Sequence, residues 1–268
     1  MSDIVKKVQQ YYDEHVEAEW NRLERHPFEF ALTIRMLDEY IKPGESVLDI
    51  GGGPGRYALY YAKKGCQVTL VDLSAENVKF ALQLSSAQSL DLTALAGDAR
   101  YVDRLVQGSY DHVLLMGPLY HLMQEEDRIK AVQAALQCLK PGGILYVSFI
   151  HLYSGIVDFL KFTPESITKP EETYYLDCVR QNVAYTGNAF TESYFCTIAE
   201  VGPFMAQFPL EKLRFFTQEG ILAANELTLK DQPDEVVRKW LELSHQLCER
   251  EEFMGMAEHL MYIGKKNQ

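Results

Sequence analysis

The chain has 268 residues, of which 47% are hydrophobic and 24% are charged. This composition excludes a disordered, collagen-like or coiled-coil chain and predicts one large domain or one domain with an insertion. The 26 lysines and arginines against 38 acidic residues give a net charge of −12. Such a charge disfavours a nucleic-acid partner, which is held mainly through phosphate contacts.

Three further observations concern the cellular setting. The longest uncharged run, residues 141–157, is too short and too polar to span a bilayer. The first 20 residues are acidic and lack a long apolar block, so we expect no signal peptide. Five cysteines without a Cys-x-x-Cys pair indicate reduced thiols. We therefore expect a cytoplasmic protein with no membrane partner and no metal site.

The first 42 residues have a helical pattern. Hydrophobic residues from Ile4 to Leu23 recur every three or four positions, which predicts one amphipathic helix. A second helical pattern follows Pro27 and ends at the turn signal of residues 42–45. Residues 1–42 are therefore expected to form a helical cover over the rest of the fold.

Strands and helices alternate from residue 43 to residue 150. Short buried strands are predicted at 47–50, 68–71, 92–96, 110–116 and 144–150, with helices at 56–64, 75–85 and 128–139. Helices of this length connect parallel strands through right-handed crossovers. The pattern predicts an α/β fold whose doubly wound, parallel sheet has helices on both faces.

The alternation stops between residues 151 and 193. Aromatic residues are frequent there without regular spacing, and two prolines interrupt the stretch. This composition predicts an inserted lid that is partly helical and mobile. Residues 194–268 return to helices and strands, with the last strand predicted at 259–263, and are expected to complete the sheet.

A glycine-rich turn follows the first strand. The strand contains Asp49, and Gly51-x-Gly53-x-Gly55 leads into a helix. Bare backbone at a helix N-terminus allows a ligand to approach closely. The dinucleotide pattern Gly-x-Gly-x-x-Gly would place glycine where Arg56 stands, and a phosphate loop would need a lysine, so both of these ligand classes lose support.

Acidic residues also end the second and third strands. Asp72 lies where a carboxylate can accept both hydroxyls of a ribose. Ser74 is already placed to cap the next helix, so Asp72 is not needed for that purpose. Asp98 lies where it could accept from an adenine amino group, although a simple turn residue is an almost equal alternative.

These elements together resemble the ordered motifs of the class I S-adenosylmethionine-dependent methyltransferases. The matching segments are residues 47–57, 72–74, 97–99 and 139–143. Residues 19–23 and 116–122 are also similar to a bacterial small-molecule branch, the methyltransferase type 11 domain. The resemblance implies a Rossmann-like methyltransferase fold with a seven-stranded, mostly parallel sheet, an antiparallel last strand, and S-adenosylmethionine as the cofactor.

The resemblance also implies which residues bind the cofactor. By position they are Asp49, Gly51, Gly53, Asp72, Leu73, Asp98, Ala99 and Met116. The two glycines would lie against the methionine part, Asp49 would help to hold its ammonium group, and Asp72 would take the ribose hydroxyls. Leu73, Asp98 and Ala99 would contact the adenine, and Met116 would line the sulfonium side.

The acceptor side is predicted from position alone. Tyr120 and His121 follow the fourth strand, at the edge where ligands bind in such sheets. His121 is the candidate base, which an oxygen or thiol acceptor needs, and its ordinary pKa predicts a rate that rises near roughly pH 6.5. His151 is the second choice. Tyr12 and Trp20 are expected either to pack in the core or to cover cofactor and substrate.

Several functions remain open from the sequence. We favour methyl transfer to a small molecule by a monomer or homodimer. Methylation of a protein or RNA would need a basic or extended groove, which this acidic chain lacks. Gly117 stands where enzymes that methylate exocyclic amines carry Asn or Asp, which disfavours that substrate class. A nucleotide-binding oxidoreductase or a non-catalytic cofactor-binding protein is the alternative from another class.

Overall fold

Strands and helices alternate from residue 46 onward, and most of the strands form one large sheet. The computed structural model describes residues 3–268. The strands of this part of the chain are β1 (Ser46–Ile50), β2 (Gln67–Asp72), β3 (Leu92–Ala96), β4 (Tyr110–Leu115), β5 (Leu139–Ile150), β6 (Tyr185–Asn188), β7 (Glu192–Phe195), β8 (Leu210–Thr217) and β9 (His259–Lys266). Seven of them form a sheet in the order β3-β2-β1-β4-β5-β9-β8, while β6 pairs with β7.

The direction of the strands confirms the predicted sheet. β3, β2, β1, β4 and β5 are parallel to one another, whereas β9 is antiparallel to both β5 and β8. The last strand therefore inserts antiparallel, and the remaining six strands run in one direction. This is the Rossmann-like arrangement of seven strands that the sequence predicted.

Helices cover both faces of the sheet, as a parallel sheet requires. They are α1 (Asp3–Glu14), α2 (Val16–Arg25), α3 (Pro27–Leu37), α4 (Arg56–Lys63), α5 (Ala75–Ala87), α6 (Glu125–Gln137), α7 (Ser154–Phe162), α8 (Thr173–Gln181), α9 (Ile198–Met205), α10 (Glu226–Leu229), α11 (Asp234–Leu247) and α12 (Glu251–Met254). Leu48 and Val113 point into one buried core, and Val47 and Leu114 point into the other. In the described part of the chain, every helix is too short or too polar to cross a membrane.

The predicted single helix between Ile4 and Leu23 is wrong, because the chain breaks between α1 and α2. His15 leaves the helical conformation, with φ of −123° and ψ of 25°. Its Nδ1 lies 2.7 Å from the Tyr11 carbonyl oxygen, which the backbone N–H of residue 15 would bind in a continuous helix. The side chain thus replaces the backbone at this carbonyl.

The insertion after β5 contains α7, α8 and the hairpin of β6 and β7. β7 crosses the expected lid boundary between residues 193 and 194. The side chains of Leu152, Tyr175, Tyr185 and Phe195 form a buried cluster that joins the hairpin and α8 to the end of β5. The insertion therefore has its own small core above the carboxyl edge of the sheet.

Candidate functional site

The glycine-rich turn joins β1 to α4 where the strand order reverses between β2 and β4. Gly51 and Gly53 have φ values of +73° and +55°, which glycine adopts without strain. The Gly51 N–H donates to the Val71 carbonyl oxygen at 2.7 Å. A Cβ at position 51 would lie 2.5 Å from Cδ of Pro118. The turn is therefore held tightly between β2 and the loop after β4.

Asp72 connects this turn to the following helix. One carboxylate oxygen accepts the Gly53 N–H at 2.8 Å, and the other accepts the Ser74 N–H at 2.9 Å and the Asn77 side-chain amide at 3.1 Å. Burial raises the pKa of Asp72 although these three donors oppose it. A carboxylate has about four acceptor directions, so ribose hydroxyls would share these oxygens with the chain's own donors. Ser74 caps α5, as predicted.

Asp49 is buried beneath the turn, with 1% of its surface exposed. Its Oδ2 has no hydrogen-bond partner among residues 3–268. Burial, and secondarily the charge of Asp72, raise the pKa of Asp49 to about 7. An unpaired buried oxygen of this kind is costly unless a ligand supplies a donor.

Asp98 is bound by a neighbouring arginine. Its carboxylate caps the short turn after β3 by accepting the Arg100 N–H at 3.0 Å, and it also accepts the Arg100 guanidinium at 2.6 Å. Arg100 binds Asp127 at 2.7 Å as well. The turn-residue interpretation of Asp98 therefore describes part of its role, although the residue also lies at the cavity described next.

A cavity at the carboxyl edge of the sheet, called here the edge cavity, brings most of the predicted site residues together. All eight residues assigned to the cofactor line it, and so do three assigned to catalysis or substrate: Asp49, Gly51, Gly53, Asp72, Leu73, Asp98, Ala99, Met116, Tyr12, Tyr120 and His121. They come from α1 and from the ends of β1, β2, β3 and β4. The rule that ligands bind at strand ends accounts for the residues of β1 to β4 and of the turns after them, whereas Tyr12 reaches the cavity from α1.

A second cavity of about 630 Å³, called here the cover cavity, adjoins the first. Tyr12, Glu19, Arg22 and Tyr120 line both of them. Much of its wall consists of aromatic rings from α1, the insertion and the hairpin: Tyr11, Phe159, Tyr175, Tyr185, Phe190 and Phe195. The cover cavity therefore lies between the N-terminal helices and the insertion, and it shares part of its wall with the edge cavity.

Both ring nitrogens of His121 are hydrogen-bonded. The ring lines the edge cavity beside Tyr12, which lines both cavities. Its Nδ1 lies 3.2 Å from the carbonyl oxygen of Glu192 in the hairpin, and its Nε2 lies 2.8 Å from Oη of Tyr12. A carbonyl oxygen only accepts, so Nδ1 carries the proton and Nε2 accepts from the Tyr12 hydroxyl. Burial lowers the pKa of His121 to about 4 and raises that of Tyr12 well above its usual value.

The floor of the cover cavity contains an ion network that the sequence analysis missed. Arg22 donates to both carboxylate oxygens of Glu29, at 2.6 and 3.1 Å, and to Glu19 at 3.0 Å. His259 donates to Glu219 through Nδ1 at 2.5 Å. Burial opposes both charges, but Arg22 lowers the pKa of Glu29 to about 2 and Glu219 raises that of His259 to about 9. The only sequence signal was a glutamate between two phenylalanines at 28–30.

The network also includes a group with the spacing of a metal site. The ligand atoms of Glu29, Glu219 and His259 lie within 4.8 Å of one another. Both oxygens of Glu29 already bind Arg22, and Glu219 accepts from His259 and from the backbone N–H groups of residues 258 and 259. A protonated histidine does not bind metals. Ion pairs and hydrogen bonds within the protein, rather than a bound metal ion, therefore satisfy these side chains.

Two residues predicted for the substrate side lie outside both cavities. Trp20 faces away from them, with the Arg56 guanidinium 3.7 Å above its ring and Phe80 at 5.6 Å. His151 is 1% exposed and packs against Tyr153, and burial lowers its pKa to about 4. At the end of β5 this ring is buried against Tyr153 and lines neither cavity. Both residues are packing residues in this structure.

Comparison with known proteins agrees with the geometry. Residues 47–143 match the family model of the methyltransferase domain. A ubiquinone biosynthesis O-methyltransferase of Xanthomonas campestris is 34% identical over 109 residues, which are 41% of this chain and 44% of that protein. A glycine/sarcosine N-methyltransferase of Aphanothece halophytica is 30% identical over 149 residues, which are 53% of this chain and 56% of that protein.

These sequence matches span only about half of each relative's length, whereas the structural similarity is global. The N-methyltransferase NodS of Bradyrhizobium japonicum, solved in complex with S-adenosylhomocysteine, superposes with a TM-score of 0.60 at 14% identity. The superposition covers 98% of this chain and 100% of that one. Residues 47–143 are therefore similar to the methyltransferase domain, and the chain as a whole has the fold of this solved methyltransferase.

Proposed function

We propose that this chain transfers the methyl group of S-adenosylmethionine to a small-molecule acceptor by in-line displacement. The observation that carries the proposal is the edge cavity, where the glycine turn and the acids that end β1, β2 and β3 surround one space. Ligands of open α/β sheets bind at this reversal of strand order. The unpaired Oδ2 of Asp49 suits the ammonium group of such a cofactor.

The proposed contacts follow the order of the strands. The methionine part would lie along Gly51 and Gly53, and the ribose would lie at Asp72. Leu73 and the turn after β3 would hold the adenine. When bound, the cofactor supplies a methyl group on a good leaving group, so the chain has mainly to align acceptor, carbon and sulfur. Such positioning contributes roughly 7–11 kcal/mol.

The cover cavity is the proposed acceptor site. Its volume of about 630 Å³ lies within the usual range for small-molecule pockets, roughly 300–1,000 Å³. Its aromatic walls favour an acceptor with a flat or apolar body. A protein or RNA segment would have to pass between α1 and the insertion, and the net charge of −12 opposes RNA. A dinucleotide-dependent oxidoreductase is opposed by the glycine spacing and by the domain match.

Tyr12 and His121 are the proposed proton-accepting pair. An acceptor hydroxyl or thiol can pass its proton to Tyr12 Oη, while the Tyr12 proton moves to Nε2 of His121 along their 2.8 Å contact. This pair favours acceptors that must lose a proton over neutral amines, which need no base. The pH dependence expected from the sequence is corrected, because burial lowers the pKa of His121 to about 4 and keeps Nε2 unprotonated at neutral pH.

Ligand-induced stabilisation tests the cofactor assignment. S-adenosylhomocysteine at 100 times its dissociation constant should add about 2.7 kcal/mol to the free energy of unfolding. In a chain of this size that corresponds to a rise in Tm of about 5 °C or more. S-adenosylmethionine should act likewise, and NAD should not. A rise with NAD and none with either sulfur compound would exclude the proposed function.

A further inference from the structure

The Asp49 carboxyl group lies in an unusual position below the glycine turn. A Cβ on Gly52 would lie 2.5 Å from Oδ2, so this oxygen faces the backbone of the turn. Oδ2 has no hydrogen-bond partner among the described residues. Asp49 also lines the edge cavity. The free oxygen is therefore buried against the wall where a ligand would lie.

Opposite charge is missing around this carboxyl in the described structure. The charged group that acts on Asp49 is the Asp72 carboxyl at the end of β2, which repels a negative charge there. Asp98, after β3, is occupied by Arg100. Among the described residues, Asp49 and Asp72 thus have no cationic partner, whereas Asp98 is paired with Arg100.

The two cations of the cavity wall are engaged elsewhere. Arg22 of α2 is held by Glu19 and Glu29. Arg56 of α4 donates to the Trp20 carbonyl oxygen and to Glu24. The remaining titratable groups facing the cavity are neutral at pH 7, because burial raises the pKa of the three phenols and lowers that of His121: Tyr12, Tyr57, Tyr120 and His121.

We propose that Asp49 is protonated in much of the free protein and releases this proton to solvent when a cation binds in the edge cavity. The inference rests on the proposed function, in which the cation is S-adenosylmethionine. S-adenosylhomocysteine keeps the ammonium group that the proposed function places at Asp49, so methyl transfer leaves this carboxyl ionised. Asp49 takes a proton back from solvent when the product dissociates. Asp49 therefore couples binding and release of the cofactor to release and uptake of a proton.

The affinity for the cofactor should consequently depend on pH. A carboxyl with a pKa of about 7 must lose its proton before it can bind a cation, so each pH unit below that value weakens the affinity for S-adenosylmethionine about tenfold. S-adenosylhomocysteine, which carries the same ammonium group, should show a similar dependence. The affinities for both compounds should therefore fall together as the pH falls from 7.5 to 6.0.

Calorimetry in paired buffers measures the proton directly. Titration of S-adenosylmethionine at pH 6.0, in two buffers that differ in ionisation enthalpy, should show release of close to one proton, falling to about a quarter at pH 7.5. S-adenosylhomocysteine should release a similar fraction of a proton. Asp49→Asn should abolish the release and flatten the pH dependence of the affinity, whereas the exposed Asp91→Asn should preserve both.

The outcomes separate this inference from the proposed function. S-adenosylmethionine that binds the wild-type protein without proton release at pH 6.0 overturns the role of Asp49 and leaves the function standing. Proton release that persists in Asp49→Asn assigns the proton to another group and also overturns it. Absence of binding at any pH overturns the proposed function itself. The wild-type titration decides the matter even where Asp49→Asn fails to fold.

Discussion

The sheet edge and its cover build the site in different ways. At the sheet edge, residues 46–121 provide backbone turns and acids at the ends of successive strands, and each contributes from its own position in the chain. In the cover, formed by α1 to α3 and the insertion, side chains meet across long sequence distances. Tyr12 bonds His121, and His121 in turn bonds Glu192.

This difference separates cofactor binding from acceptor chemistry. The edge is fixed by strand pairing and by backbone hydrogen bonds, such as the one from Gly51 to Val71. The cover is held by side-chain contacts that can be removed singly, such as the pair of Arg22 and Glu29. Substitutions in the cover should therefore change turnover or stability while leaving cofactor affinity nearly intact.

The largest effect is expected at the pair of Tyr12 and His121. With a hydroxyl or thiol acceptor, His121→Ala and Tyr12→Phe should each lower kcat by about 100- to 10,000-fold, because a general base contributes this much. The dissociation constant of S-adenosylhomocysteine should stay nearly unchanged. Wild-type kcat should be flat between pH 6 and 8, since the pKa of His121 lies at about 4.

The exposed Tyr101, which lies outside both cavities, provides the matched control. Tyr101→Phe should retain wild-type kcat. A normal rate in His121→Ala on an oxygen or sulfur acceptor would remove the base assignment. A loss in His121→Ala without one in Tyr12→Phe would show that His121 contacts the acceptor without the tyrosine.

The next effect concerns the ion network below the cover cavity. Glu29→Gln should reduce the free energy of unfolding by about 3 kcal/mol, because it leaves the Arg22 guanidinium without its main partner. Glu76→Gln is the matched control, since its pair with Lys79 is exposed, and it should change stability by less than about 0.5 kcal/mol. Urea unfolding measures both, and equal losses would contradict the proposed importance of the network.

The same network determines how the free energy of unfolding changes at alkaline pH. The pKa of His259 is raised to about 9, so its stabilising charge is fully present below its ordinary value of about 6.5 and is lost as the pH rises through 9. On the acid side, His121 and His151 have pKa values lowered to about 4, so the unfolded chain takes up their protons first and stability falls from pH 6.5 toward 4. Together these three histidines place the maximum of their contribution to the free energy of unfolding near pH 6.5.

The smallest effect is expected in amide exchange of the insertion. Segment 154–172 carries exposed apolar side chains, including Leu160 at 70% exposure, and should exchange faster than β4 by at least about tenfold. Binding of S-adenosylhomocysteine with an acceptor should slow this exchange, as the sequence predicted for a mobile lid. Protection equal to that of β4 in the free protein would make the insertion part of the rigid core.

The sequence was sufficient for the sheet edge because the relevant rules are local there. A strand, a glycine turn and a strand-end acid determine where Gly51, Asp72 and Asp98 lie, and each of them lines the edge cavity. The same patterns could not show that Asp72 also braces the turn, since this depends on the 2.8 Å approach of the Gly53 N–H.

The side-chain contacts within the cover could not be predicted from the sequence, for a physical reason. The helical period placed Tyr12 and Trp20 on one face, but the break at His15 rotates the two helices apart, and only Tyr12 reaches the cavities. His151 follows a strand as His121 does, yet its ring is buried against Tyr153 and lines neither cavity. Pairings such as Arg22 with Glu29 and His259 with Glu219 depend on how distant elements pack, which no local pattern encodes.

The bond from His121 to the hairpin has a consequence for how the acceptor site can diversify. The group at residue 192 that fixes the histidine tautomer is a backbone carbonyl, which every amino acid possesses. The side chain at this position can therefore change freely without altering which ring nitrogen carries the proton. Mutation can reshape the aromatic wall of the insertion for a new acceptor, while the length and path of the hairpin alone preserve the proton-accepting geometry.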